Sequence, residues 1–278
     1  MSKKQSWIIV TDLDASLLDA HYSYEAASEA IDYLQEKEIP IVLNSSKTIH
    51  ELIALANRWN WNPKPFLVGE NGACLGIPMD HQAIQFISVN HTHQGYACSY
   101  DPNAYERIIS LARLLRNTEN YQFKGFSDLS VSELCTLTGL SEQDAELARH
   151  RYCTEPILWN DSKEAFNNFL ESLSKAGIRV IRGGQFIHLM ETNYDKSTGM
   201  DAILGIFKTM HPNIQWETLA IGDSENDIPM LERADCALII PNQSNGTIAL
   251  ERSDFYLARD YASTGWNTEL LTILNSNP

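Results

Sequence analysis

The chain has 278 residues, 44% of them hydrophobic, which suits one large or two smaller domains with a sizeable core. Its 21 basic against 36 acidic side chains leave a formal charge of −15 and argue against extended binding to nucleic acid. An anionic small molecule would need locally concentrated positive charge, which one or two lysines and a magnesium ion can supply. Apolar runs such as Ala237 to Ile240 fall far short of the roughly 20 residues that cross a bilayer. No long apolar segment follows the N-terminal lysines, so the expectation is a soluble cytoplasmic protein without a secretory signal. The cysteines (Cys74, Cys98, Cys135, Cys153 and Cys236) are scattered and never form a C-x-x-C pair, which points to reduced thiols rather than disulfides or a zinc knuckle.

In chain order, Trp7 to Val10 reads as a strand and is followed by Asp12, Leu13 and Asp14. Ala27, Ile31 and Leu34 recur at helical spacing and lead to a strand at Ile41 to Leu43, a βαβ pattern. Thr48 and Glu51 read as a capping box, with Ile49, Leu52, Ile53, Ala56 and Trp59 as the apolar stripe of the helix behind it. Ser45, Ser46 and Lys47 then occupy the loop at that helix's N-terminus, where free N–H groups bind anions, and are candidate phosphate or substrate ligands. Pro65 to Val68 is a third strand, and Gly69 to Gly72 a turn.

From about Ile84 to Met190 the βα alternation is interrupted by a helix at Ala104 to Leu115, a strand near Phe123 to Phe126 and short helices through Ala148. A strand at Pro156 to Trp159, a helix at Phe166 to Leu173 and a strand at Phe186 to Met190 follow. This predicts an inserted α+β domain over residues 84–190 in an α/β parallel-sheet core formed by residues 1–83 and 191–278. His91 and His93 read as a polar loop, and His188 as a core residue. The alternation resumes with a helix capped by Thr198, a strand at Thr218 to Ile221 and another at Cys236 to Ile240.

Asp12 to Asp14, Asn44 to Lys47, Asp195 with Lys196, and Gly222 to Asp227 each follow a predicted strand, and ligands bind at the carboxyl ends of strands in open α/β sheets. Asp12 can attack phosphorus while Asp14 handles the proton of the leaving group and then of water. Ser45 and Lys196 would meet the phosphoryl oxygens. Asp12 and Asp223 would bind magnesium as hard oxygen ligands, with Asp14 and Asp227 as further carboxylates of the metal site; Asp227 could instead fix Lys196. Each piece alone is ordinary loop chemistry, and the ordered set carries the signal. A catalytically silent phosphometabolite-binding protein is the competing reading, and the intact nucleophile argues against it.

The segments Asp12 to Leu18, Ser45, Lys196 and Gly222 to Asp227 resemble the four motifs of the haloacid dehalogenase superfamily, whose fold is a Rossmann-like core with an inserted cap. Over nearly its full length the chain is most similar to the mannosyl-3-phosphoglycerate phosphatase family. The residues that carry this are Ser45 to Thr48, Gly69 to Ala73, Phe123 to Ser130, Thr138 to Leu140, Arg151, Tyr152, Glu155, Pro156 and Gly183 to Phe186. The resemblance implies a magnesium-dependent phosphatase acting on a phosphorylated sugar-glycerate through an aspartyl phosphate. The substrate would be mannosyl-3-phosphoglycerate, or alternatively the glucosyl compound or another sugar phosphate. The cap segment Gly183, Gly184, Gln185 and Phe186 would face the glycerate end. Three positions depart from the pattern: Ala15 replaces a usual Gly, Ser16 the commoner Thr, and Gln185 an expected Arg.

Overall fold

The structure is a computed structural model that describes residues 4–183, 186–243 and 246–276. Its strands are β1 Lys4–Thr11, β2 Ile41–Asn44, β3 Phe66–Gly69, β4 Cys74–Pro78, β5 His91–His93, β6 Tyr96–Ser99, β7 Phe123–Gly125, β8 Thr154–Trp159, β9 Ile178–Gly183, β10 Phe186–Glu191, β11 Ile214–Gly222, β12 Cys236–Ile239 and β13 Tyr256–Leu257. The α-helices are α1 Ser28–Glu36, α2 Ile49–Trp59, α3 Ala104–Glu119, α4 Val131–Thr138, α5 Glu142–Arg149, α6 Lys163–Lys175, α7 Lys196–Met210, α8 Ile228–Arg233 and α9 Ala262–Ser276. None among the described residues is long and apolar enough to cross a membrane.

A large sheet runs β13-β12-β11-β1-β2-β3-β4-β6-β5, parallel from β13 to β3 and antiparallel beyond. Its central strands are apolar on both faces, as a sheet covered by helices on each side requires. Ile9, Leu43, Leu219 and Ile221 pack with α1, α2 and α9, while Ile8, Val10, Val42 and Ala220 pack with α7 and α8. Each fully buried Leu or Ile here contributes about 1.5–3 kcal/mol. Helix α2 starts as its sequence predicts: Glu51 N–H donates to Thr48 Oγ1 and Thr48 N–H donates to the Glu51 carboxylate.

A second, antiparallel sheet has the order β7-β8-β10-β9. Ile157, Ile187 and Leu189 on one of its faces meet Ile108 and Ala112 of α3 and Phe169 and Leu173 of α6. The chain enters β8 through a segment tied to the large sheet by buried Glu70, whose carboxylate accepts the Tyr152 and Cys153 N–H groups and the Thr154 hydroxyl.

Several elements differ from the sequence reading. The strand at Phe186, expected within residues 84–190, pairs with β8 and β9 in the small antiparallel sheet, so Asp195 and Lys196 follow no strand of the parallel sheet, unlike the other three motifs. His91 and His93 form an edge strand instead of a loop: β5 and β6 make a hairpin that extends the large sheet, although residues 91–99 fall within the stretch expected to form the insert. Helix α7 begins at Lys196, not after Thr198. The Asp195 carboxylate accepts from the Ser197 and Thr198 N–H groups, and Thr198 Oγ1 in turn accepts from Asp195 N–H.

Candidate active site

Parallel pairing of β1 with β11 and β2 brings three carboxyl ends side by side, so Asp12 follows β1, Ser45 follows β2, and Asp223 follows β11. Lys196 arrives from the first turn of α7, and that turn is pinned by Asn44, whose Nδ2 donates to the Lys196 carbonyl at 2.8 Å. Gly72 permits this approach. It has a φ of +100°, and a Cβ there would lie 1.8 Å from the Asp195 carbonyl oxygen.

Lys196 is fully buried, and its Nζ lies 2.5 Å from Asp12 Oδ1 and 2.5 Å from Asp227 Oδ1. The other Asp227 oxygen accepts from the N–H groups of Asp223 and Ser224, each at 3.0 Å. Gly222 leaves room for this clasp, since a Cβ on it would sit 2.5 Å from the Asp227 Cβ. Asp223 accepts from Ser16 Oγ at 3.0 Å and from Asn242 Nδ2 at 2.5 Å. The hydroxyl at position 16 therefore has a defined partner.

Burial pushes the Asp12 carboxyl well above the usual carboxylate range; Lys196 opposes this, and Asp227, Asp223 and Asp14 add to it. Asp223 is raised by burial and by Asp227, against the pull of Asn242 and Ser16. Burial alone would depress the Lys196 ammonium, but Asp12 and Asp227 hold it above the ordinary lysine range. The three carboxylates of Asp12, Asp223 and Asp227 offer oxygens within 4.8 Å of one another, with Lys196 as the buried cation among them. Such an all-oxygen set with excess negative charge fits a hard divalent cation.

Asp14 stands apart from that cluster. Its carboxylate pairs with Lys47 Nζ at 2.9 Å and its side chain is 47% exposed. Asp14, Asp12 and Ser46 line a cavity of about 1070 Å³, which Phe186 and His188 of β10 also line, together with Tyr22 and Asn226. Ser45 is buried just past the end of β2, and its hydroxyl accepts Lys47 N–H at 3.2 Å. Lys47 lies over the Tyr22 ring, 5.1 Å from its centroid. Of the expected glycerate segment, Gly183 ends β9 and Phe186 lines the cavity, while Gly184 and Gln185 lie outside the described residues.

Sequence reasoning missed His188, Tyr22 and Asn242 as parts of this site. The alternation of β10 offered a signal for His188, because Ile187 and Leu189 claim the apolar face. Asn242 lies in a loop with no periodic pattern to mark it.

The chain matches the haloacid dehalogenase-like hydrolase family over residues 9–250, and it belongs to that family. It is 31% identical over 274 residues to a glucosyl-3-phosphoglycerate/mannosyl-3-phosphoglycerate phosphatase of Methanococcoides burtonii, an alignment that covers 97% of this chain and 98% of that one. A protein of the same description from Persephonella marina is also 31% identical, over 277 residues, covering 96% of this chain and 97% of its own. Among solved structures, a phosphatase of the haloalkanoate superfamily from Bacteroides thetaiotaomicron superposes with a TM-score of 0.66 at 15% identity, covering 98% of this chain and 96% of that one. That last likeness speaks to the fold.

Proposed function

We propose that the protein hydrolyses mannosyl-3-phosphoglycerate, with the glucosyl compound as its second substrate, to a glycosylglycerate and phosphate in the cytoplasm. The coarser statement, that the chain is a phosphoric monoester hydrolase, follows from its family and from relatives that align along nearly its whole length. The observation that carries the reading is Asp12 at a strand end, gripped by Lys196 and flanked by two further buried carboxylates, with Asp14 across the same cavity.

In the proposed reaction an Asp12 oxygen attacks phosphorus, the bond from phosphorus to the glycerate oxygen breaks, and Asp14 protonates that oxygen as it leaves. Water then attacks the aspartyl phosphate and gives a proton to Asp14, releasing phosphate and restoring Asp12. Lys196 spaces Asp12 from Asp227 and places positive charge beside the phosphoryl group. The ion pair with Lys47 holds the Asp14 carboxylate at the cavity it shares with Asp12. Magnesium held by Asp12, Asp223 and Asp227 would supply the remaining offset to phosphoryl charge.

The test is turnover of purified protein on mannosyl- and glucosyl-3-phosphoglycerate, sucrose phosphate, trehalose phosphate and an aryl phosphate, with and without magnesium. The reading predicts the highest kcat/KM on the two glycosyl-3-phosphoglycerates. Preference for another sugar phosphate by tenfold or more would overturn the substrate assignment.

A further inference from the structure

His188 is placed where a packing residue has no reason to be polar. Its neighbours Ile187 and Leu189 pack into the core of the small sheet. The two-residue alternation of β10 therefore turns His188 to the other face, where it lines the cavity shared with Asp12 and Asp14. The residue is only 8% exposed, and its Nδ1 is sealed from solvent without a hydrogen-bond partner among the described residues, which leaves Nε2 as the ring nitrogen that can meet a group in the cavity. Buried polar groups are nearly always paired in native proteins, and an orphan calls for a specific explanation.

The surroundings also fix the charge of this ring. Burial, and then the Arg151 guanidinium, push the imidazole down to about 3, so it stays neutral at any working pH. Arg151 is itself held by the Ala148 carbonyl and the Thr154 hydroxyl, so it stays in place. A neutral imidazole presents one N–H and one lone pair, and the group that answers either is a hydroxyl, which both donates and accepts. A phosphate or carboxylate would favour the imidazolium that this environment disfavours. The phosphoryl end already has Lys196 on Asp12.

We propose that His188 is a specificity-determining residue that hydrogen-bonds a hydroxyl on the part of the substrate that is not transferred. This rests on the reading of the protein as a phosphatase of hydroxyl-rich phosphate esters. The sequence reading placed discrimination on the segment that ends at Phe186, and His188 moves part of it two residues along, onto a rigid strand.

The test compares wild type, His188→Leu and His188→Gln on mannosyl-3-phosphoglycerate and on an aryl phosphate that lacks hydroxyls, with thermal midpoints measured in parallel. In His188→Leu the KM for the sugar ester should rise tenfold or so with kcat little changed, while kcat/KM for the aryl phosphate stays within twofold. His188→Gln should recover part of the loss, because its amide both donates and accepts. The thermal midpoint of His188→Leu near pH 7.5 should hold or rise, since the variant removes an unpaired buried polar group. Equal losses on both substrates together with a lower midpoint would reduce His188 to a packing residue, and an unchanged KM for the sugar ester would overturn the proposal outright. If wild type prefers a different sugar phosphate, the glycosyl-3-phosphoglycerate reading falls. The ratio of that preferred substrate to the aryl phosphate, in the same three proteins, then decides the role of His188.

Discussion

The Lys196 ammonium stands 2.5 Å from an oxygen of Asp12 and 2.5 Å from an oxygen of Asp227, and it is fully enclosed. One cation therefore fixes two carboxylates from different strand ends. It leaves the second Asp12 oxygen free of this ion pair and uses Asp227 as a brace clasped by the backbone of Asp223 and Ser224.

Replacing Lys196 by Met keeps the length of the side chain and removes the charge. The expected effect is a loss of about 10²–10³-fold in kcat, the size seen when one preorganised charge-stabilising donor is deleted. Steady-state kinetics on the preferred substrate, with circular dichroism to confirm folding, check this; a loss below threefold would contradict the role given to Lys196.

Chelation of divalent cations should silence the enzyme, and magnesium should restore it. Three buried carboxylates share the site with Lys196, and the phosphate ester adds further negative charge. Asp223→Ala should reproduce the effect of the chelator and resist rescue by magnesium, which a titration of activity against metal concentration reads directly. Full activity in excess chelator would remove the metal from the account.

Ala15 has a φ of 61°, in the left-handed region, at the position where the superfamily usually carries Gly. A residue with a Cβ costs about 1–2 kcal/mol there, partly offset by the freedom glycine gains in the unfolded chain. Ala15→Gly should therefore stabilise the fold by about 0.5–1 kcal/mol, measured by denaturant unfolding. Destabilisation of similar size would show that the methyl packs usefully.

Two histidines should make the fold sensitive to mild acid. Burial, then His150, His93 and His91, lower His50 to about 4, while burial and Arg151 lower His188 to about 3. Both folded-state values lie below the unfolded value, so the neutral rings favour the fold fully above about pH 6.5, and this contribution is lost as pH falls toward 4 and then 3. Within that window each ring whose folded form stays neutral costs about 1.4 kcal/mol per pH unit, and less for His50 because water reaches part of its cluster. The thermal midpoint should fall from pH 7 to 5, and fall less in His50→Gln. Identical slopes in the two proteins would remove His50 as a source.

The strand ends of the candidate site were legible because β2 and the C-terminal halves of β1 and β11 are buried, largely apolar runs that lead into polar residues, and Thr48 with Glu51 marked α2 as clearly. The strand at Phe186 was legible within the insert, but its partners β8 and β9 were not, since an apolar run does not reveal its pairing. His91 and His93 looked polar enough for a loop, yet β5 is an edge strand whose two rings meet His50 together with His150 from the end of α5: centroids of His91, His93 and His150 lie 5.7, 4.8 and 4.9 Å from it. The start of α7 was displaced because Thr198 also caps well, and only the structure shows the Asp195 carboxylate taking two N–H groups. The role of Glu70 could not be read at all. Three of its donors come from residues 152–154, more than 80 positions away.

Covalent phosphorylation of Asp12 is the step on which the proposed reaction turns. Mixing enzyme with mannosyl-3-phosphoglycerate, quenching in acid within one turnover and mapping the peptides should locate a hydroxylamine-labile phosphoryl group on Asp12, absent from Asp12→Asn, which should fold but not turn over. Unmodified Asp12 throughout turnover, with Asp12→Asn retaining near wild-type activity, would contradict it.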